Sequence, residues 1–224
     1  MGFTMPTHPR VPEAWRGNCK CGRWLVVLVS FTSSKPLRCE CGRRWSIDGD
    51  HVRCEPGRVV HALCLDLDGT VRRSKSGGFI SGPDDVELFP GVEAMIWRYR
   101  DDGFLIFGIT NQGGVAHGHK TELTNDAEID ATVRAFKRNP FHMIKSCYHD
   151  ARGTVEPYCH RSLLRKPGYG MLALCEVEAF AQGFIIDWDM SIFVGDRPED
   201  EECARSAGVE FRWAQEFFGR EPRG

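Results

Sequence analysis

Five short apolar runs, most of them followed by a polar loop and a helical pattern, constrain this chain more than any other feature. They are "VVHALCLD" from residue 59, "FLIFGIT" from 104, "HMIKSCY" from 142, "SIFVGD" from 191 and "VEFRWA" from 209. Most lack a clean polar alternation, which suits strands buried on both faces rather than half-exposed ones. The intervening segments carry helical signals. "GVEAMIWRYRDDG" (91–103) is amphipathic and closed by glycine, residues 121–138 form a polar helix stopped by Asn139-Pro140, and "YGMLALCEVEAFAQG" and "PEDEECARSAG" follow. Strands alternating with helices of this length predict the α/β class, a Rossmann-like parallel sheet with helices on both faces.

The front of the chain has another rhythm. Residues 1–17 are an irregular leader with three prolines, and residues 18–54 alternate turn signals with short apolar runs, as a small β-rich unit would. "EPGR" reads as a linker, which divides the chain into a module at 1–57 and a larger domain at 58–224. Residues 1–61 hold ten Lys/Arg against five Asp/Glu, whereas residues 62–224 hold nineteen against twenty-six. Within a net charge of −2, that asymmetry suggests two units of different purpose. The N-terminus lacks the pattern of a secretion signal, and "WLVVLVSF" is too short to cross a bilayer. The expectation is a soluble cytoplasmic protein with no membrane partner. In a reducing compartment its ten cysteines read as metal ligands, core residues or free thiols rather than disulfides.

In such folds ligands bind beyond the carboxyl ends of the strands. Three strands here end in polar residues: "DLDGT" (66–70), "ITNQGG" (109–114) and "VGDRPED" (194–200), with "RKPGYGM" between the last two. A lone D-x-D usually does no more than cap a turn, but these four elements occur together in order. A strand-end carboxylate can attack phosphorus and form an aspartyl-phosphate, dividing hydrolysis into two easier displacements. The transferring phosphoryl group needs charge neutralisation, which calls for Mg2+ on carboxylates and a cation on the phosphate oxygens. Asp66 is the candidate nucleophile, and a turn at Gly69 could bring Asp68 back to protonate the leaving oxygen. Asp196 would complete the metal site with Asp66 and Asp68, Thr110 would grip phosphate, and Lys166 would offset its charge.

These residues resemble the haloacid dehalogenase superfamily of phosphatases, through "DLDGT", Thr110 in "ITNQGG", Lys166 and "GDRPED". The resemblance covers roughly residues 60–215 and implies that Asp66 is the nucleophile and Asp68 the general acid/base. It also implies that Mg2+ is held by the Asp66 carboxylate, the Asp68 backbone carbonyl and Asp196. "TNQGGVAHG", "CYH" and "RKPGYGM" are similar to the subgroup of heptose-bisphosphate and histidinol-phosphate phosphatases, and polynucleotide 3′-phosphatases share "TNQ" and "RKP…GM". That subgroup implies substrate contacts for Asn111 and Arg165, and Arg197 is placed for another. The sugar and histidinol enzymes usually carry Arg where this chain has Leu67, so the substrate is open. The first expectation is a small phosphorylated substrate of the sugar or histidinol type. The second is a polynucleotide 3′-phosphate, with the front module binding nucleic acid. A catalytically idle phosphate-binding scaffold is the rival outside catalysis, and such a protein would have no use for a second aspartate. The intervals between the motifs leave no room for a large cap domain.

"CKCG" and "CECG" form two matching knuckles that place Cys19, Cys21, Cys39 and Cys41 for one tetrahedral Zn2+, an arrangement resembling a zinc ribbon. A unit of about 40 residues has too little core to fold without such help. The usual knuckle has one more residue between its cysteines, and the alternative is four free or pairwise oxidised thiols. A second zinc could lie on Cys147, His149, Cys159 and His160, where the resembling subgroup often holds one. Against it, the last two are adjacent in sequence, and the alternative there is a buried cysteine beside solvated histidines.

Overall fold

The computed structural model describes residues 58–220 in full and, before them, the backbone of five strands. These are β1 (Ala14–Asn18), β2 (Trp24–Leu28), β3 (Leu37–Arg38), β4 (Arg44–Asp48) and β5 (His51–Glu55). β1 and β2 pair antiparallel, and β3, β4 and β5 form an antiparallel three-stranded sheet. The four knuckle cysteines at 19, 21, 39 and 41 lie outside the described residues. By contact density the chain divides into two compact units, 1–58 with 180–184, and 59–179 with 185–224.

In the chain from residue 58 onward the run from residue 59 is broken at His61, giving β6 (Arg58–Val60) and β7 (Ala62–Leu65). A hairpin that the apolar pattern does not announce follows, β8 (Arg72–Ser74) against β9 (Val86–Leu88). Next come α1 (Val92–Asp101), β10 (Leu105–Asn111), α2 (Glu122–Ala135), β11 (Met143–Cys147) and α3 (Gly170–Gln182). β12 (Phe184–Ile186), β13 (Ile192–Gly195), α4 (Pro198–Ala207), β14 (Glu210–Trp213) and the short α5 (Ala214–Phe217) complete it.

The sheet is wholly parallel in the order β11-β10-β7-β13-β14. This is the doubly wound arrangement expected from the sequence. All four residues of β7 and of β13 are buried, as are the first six of β10, so the centre of the sheet is covered on both faces. Leu63, Leu65, Leu67, Ile96, Ile106 and Val194 form the middle of one continuous core. The chain leaves β7 toward β10 and later returns to its other side at β13. The carboxyl end of β7 is therefore the switch point where a crevice must open.

Candidate active site

Asp66 continues the β7 ladder, its N–H donating to the Val194 carbonyl at 2.9 Å. The chain then turns. The N–H groups of Thr70, Val71 and Arg72 all converge on the Leu67 carbonyl, and Gly69 sits at φ +94°, a conformation that costs a residue with a Cβ. A Cβ on Gly69 would also lie 2.1 Å from an Asp196 carboxylate oxygen, so glycine lets the first and fourth motifs touch. Leu67 is wholly buried in the core.

Lys166 reaches into this point and is 3% exposed. Its Nζ donates to Asp66 Oδ1 at 2.5 Å and to the Ile109 carbonyl at 2.8 Å, and lies 2.7 Å from Asp200 Oδ1. Asp200, buried at the third position of α4, was not singled out from the sequence, although it closes the quoted "VGDRPED". Its other oxygen accepts from the N–H groups of Asp196 and Arg197, which caps the helix and fixes the Asp196 backbone. Gly195 permits this, since a Cβ there would stand 2.4 Å from Asp200 Cβ.

Burial raises the Asp66 carboxyl above its ordinary value, a rise that the Lys166 ammonium opposes and the Asp200 and Asp68 carboxylates reinforce. Burial draws Lys166 down, yet Asp66 and Asp200 lift it above the usual lysine range. Asp66 Oδ2 is buried with no hydrogen-bond donor, and carboxylate oxygens of Asp66, Asp196 and Asp200 lie within 4.8 Å of one another. An orphaned buried oxygen in an all-carboxylate set fits a hard divalent cation with oxygen ligands, as Mg2+ requires.

The rest of the expected site surrounds this cluster. Asp68 accepts from Arg72 Nε at 2.8 Å and Gln112 Nε2 at 2.5 Å. Burial pulls its carboxyl upward, but Arg72, with its hydrogen bonds and that of Gln112, holds it below the ordinary value. Thr110 is buried at the end of β10, and its Oγ1 accepts from Gln112 Nε2 at 2.9 Å. Asn111 lines the cleft above the cluster and has a second tie. Its side chain bonds both the N–H and the carbonyl of Lys166, each at 3.0 Å, so it clamps the lysine loop to β10. Arg165 is oriented by the His149 carbonyl at 3.1 Å and by buried Asp150 at 3.1 Å, an acceptor that sequence reasoning did not identify. Arg197 is exposed beside Glu199. Above the cluster is a cleft of about 1570 Å3, with Arg73, Lys75, His117, His119, Arg165 and Arg197 among its walls.

The four residues read as a second zinc set do not converge. Cys159 Sγ and His160 Nε2 both turn to Glu156, at 3.0 and 2.9 Å, while Cys147 is buried at the end of β11 and His149 meets the edge of Tyr158. Adjacent residues in one turn share a near neighbour more readily than a distant ion. Among the described residues, clusters of three or more possible ligands occur only at Asp66/Asp196/Asp200 and Glu156/Cys159/His160. No helix among them is long and apolar enough to cross a membrane.

Comparison with known proteins agrees with this geometry. A family model described as polynucleotide kinase 3 phosphatase matches residues 61–218. The chain is 33% identical over 154 residues to a Thermoplasma volcanium protein named "Probable D-glycero-D-manno-heptose-1,7-bisphosphate 7-phosphatase", covering 68% of this chain and 97% of the relative. It is 30% identical over 155 residues to the D-glycero-beta-D-manno-heptose-1,7-bisphosphate 7-phosphatase of Escherichia coli K12, covering 68% and 77%. Among solved structures, the D,D-heptose 1,7-bisphosphate phosphatase of B. bronchiseptica, complexed with magnesium and phosphate, superposes with a TM-score of 0.55 at 25% identity. That match covers 69% of this chain and 78% of the other.

Proposed function

The chain belongs to the polynucleotide kinase 3 phosphatase family and is a phosphatase of the haloacid dehalogenase type; from this we propose that it is a Mg2+-dependent phosphomonoesterase acting through Asp66 on a small sugar phosphate. The observation that carries the reading is Asp66 itself, with one oxygen on Lys166 and the other buried, unbonded and beside Asp196 and Asp200, beneath a cleft that Asp68 and Asp196 line. Such a carboxylate is placed to attack a phosphoryl group whose oxygens meet Lys166 and the backbone following Thr110. Mg2+ held by Asp66, Asp196 and the Asp68 backbone carbonyl would neutralise phosphate charge and keep Asp66 ionised despite its burial. Asp68 acts from its protonated form, giving that proton to the departing alkoxide, and the carboxylate left behind takes one from the attacking water. Arg165, anchored by Asp150, and the exposed Arg197 are the proposed substrate contacts. The sugar phosphate assignment rests on relatives named for heptose bisphosphate.

A second reading follows from the description of the matching family, a polynucleotide 3′-phosphate as substrate. Phosphate release from heptose 1,7-bisphosphate, histidinol phosphate and a 3′-phosphorylated oligonucleotide, with Mg2+, decides between them. Highest kcat/KM on the sugar ester is expected. A tenfold preference for the oligonucleotide would transfer the assignment to the second reading, and no release from any ester would remove both.

Two predictions belong to this proposal. Asp68→Asn should keep phosphate and Mg2+ binding but slow turnover of an alkyl phosphate by about 10^2-fold or more, the usual worth of a general acid. An aryl phosphate, whose leaving group needs no proton, should be slowed far less. Equal losses would give Asp68 another role.

The second concerns residues 1–57, which we propose form a separate zinc-ribbon-like module on Cys19, Cys21, Cys39 and Cys41. In the full chain, replacing Cys39 and Cys41 together by Ser should remove about one equivalent of zinc, measured by elemental analysis, because two thiolates cannot close a tetrahedral site. Turnover of a small aryl phosphate should be unaffected. Unchanged zinc would dismiss the module's metal. If that module holds nucleic acid, the substitution should also weaken use of 3′-phosphorylated strands, most visibly at low salt.

A further inference from the structure

Among the described residues Arg72 is the largest that is completely buried, and it is not in the cluster around Lys166. Its guanidinium faces Asp68, with Nε at 2.8 Å from Oδ1 and Nη2 at 3.4 Å from Oδ2. Nη1 is fixed from the far side by the Glu128 carbonyl at 3.0 Å and Thr132 Oγ1 at 2.7 Å, both on α2. The second oxygen of Asp68 accepts from Gln112 Nε2. The ionised Asp68 carboxylate only accepts, so the NH2 end of that amide faces it, and Lys120 holds the opposite end. The ammonium of Lys120 only donates, and it lies 3.3 Å from Gln112 Oε1, which agrees with the NH2 end facing Asp68 and Thr110. Lys120 is in turn held at 2.6 Å by Glu128, which is wholly buried and belongs to the same turn of α2 that receives Arg72. A ring closes through four side chains and one helix residue: Asp68 to Arg72, Arg72 to the main-chain carbonyl of Glu128, the Glu128 carboxylate to Lys120, Lys120 to Gln112, and Gln112 back to Asp68.

From this ring we infer that Arg72 and the Lys120–Glu128 pair are positioning residues that fix the Asp68 carboxyl toward the leaving-group oxygen of the substrate. The inference rests on the proposed phosphatase chemistry and extends it to residues outside the motifs. Asp68 is partly open to the cleft, and an unrestrained carboxyl there would sample several rotamers. Proton transfer needs one of them, within hydrogen-bond reach of the oxygen that departs. Two donors on separate elements, one rigid by its planar fork and the other by the polarity of its neighbours, leave Asp68 a single orientation.

The test separates positioning from mere stability. A buried ion pair can often be replaced by apolar residues of similar volume without loss of stability. The double substitution Lys120→Met with Glu128→Leu should therefore fold with an unchanged Tm while removing the donor that holds Gln112 Oε1 and so loosening the amide against Asp68. Its kcat on an alkyl phosphate should fall about tenfold or more at unchanged KM, while kcat on an aryl phosphate stays within about threefold. Arg72→Lys, which keeps the charge but loses the fork, should show the same split and provides a second arm should the double variant not fold. Equal losses on both esters, or no loss on either, would overturn the inference while wild-type activity still upholds the phosphatase reading. A wild-type protein that hydrolyses neither ester would overturn both.

Discussion

Asp66→Asn should reduce phosphate release by at least about 10^3-fold, a barrier increase of roughly 4 kcal/mol, while leaving the protein folded. Asn is nearly the same size as Asp, so the core under β7 keeps its packing. Its amide cannot attack phosphorus, and it supplies neither a charge nor the carboxylate oxygen that now stands buried and unbonded beside Asp196 and Asp200. The thermal cost should be small. Burial already disfavours the Asp66 charge, and Lys166 retains Asp200 as an anionic partner at 2.7 Å. An apparent Tm within about 3 °C of wild type is therefore expected. Measured with Mg2+ present on both an aryl and an alkyl ester, the loss should be the same for each. The nucleophile serves both, unlike the general acid. Activity above about a tenth of wild type would exclude covalent catalysis through Asp66.

The parts of this site that the sequence revealed are those set by strand periodicity. Apolar runs of β7, β10 and β13 end where polar residues begin, so the sequence alone places Asp66, Thr110 and Asp196 at the carboxyl ends of these strands. Residues that act through tertiary geometry were not legible in the same way. Asp200 stood inside a quoted motif, but its reach to Lys166 depends on its place in the first turn of α4 and on Gly195 leaving room. Arg72 sits in "VRRSK", a stretch that none of the motifs includes. Only the short strand β8, with its buried-exposed-buried alternation, turns Arg72 inward and Arg73 outward. Asn111 belongs to the expected substrate contacts by resemblance, and its tie to the Lys166 backbone, one N–H donated and one accepted, is a further role that the sequence does not announce. The Cys/His loop misled for the converse reason. Ligand-like residue types were present, but adjacent Cys159 and His160 are directed to a local carboxylate rather than toward Cys147 and His149.

Lys166→Met should be the most destabilising of the single substitutions at the site, and Mg2+ should reverse much of the damage. The ammonium bridges Asp66 and Asp200, and removing it leaves three carboxylates with oxygens within 4.8 Å of one another in a buried setting. Breaking a buried ion pair from one side costs about 3–5 kcal/mol because the remaining charge is uncompensated. The Ile109 carbonyl also loses its Nζ donor. In a unit of this size that corresponds to a fall in Tm of roughly 6–20 °C in chelator. The same deficit of positive charge should raise the affinity for a divalent cation. A cation that binds only the folded state stabilises it by about 2.7 kcal/mol at a hundred times its Kd. The Mg2+-induced rise in Tm should therefore be larger in the variant than in wild type, and Ca2+, another hard oxygen-seeking ion, should also raise it. Turnover should remain lost at saturating Mg2+, since the metal restores charge balance among the carboxylates but not the cation that meets the phosphoryl oxygens. Thermal scans with chelator, Mg2+ and Ca2+ separate these effects from activity. A variant as stable as wild type in chelator would mean that the carboxylates are not charged as their contacts with Lys166 imply. A Mg2+ response no greater than that of wild type would place the metal away from Asp66, Asp196 and Asp200.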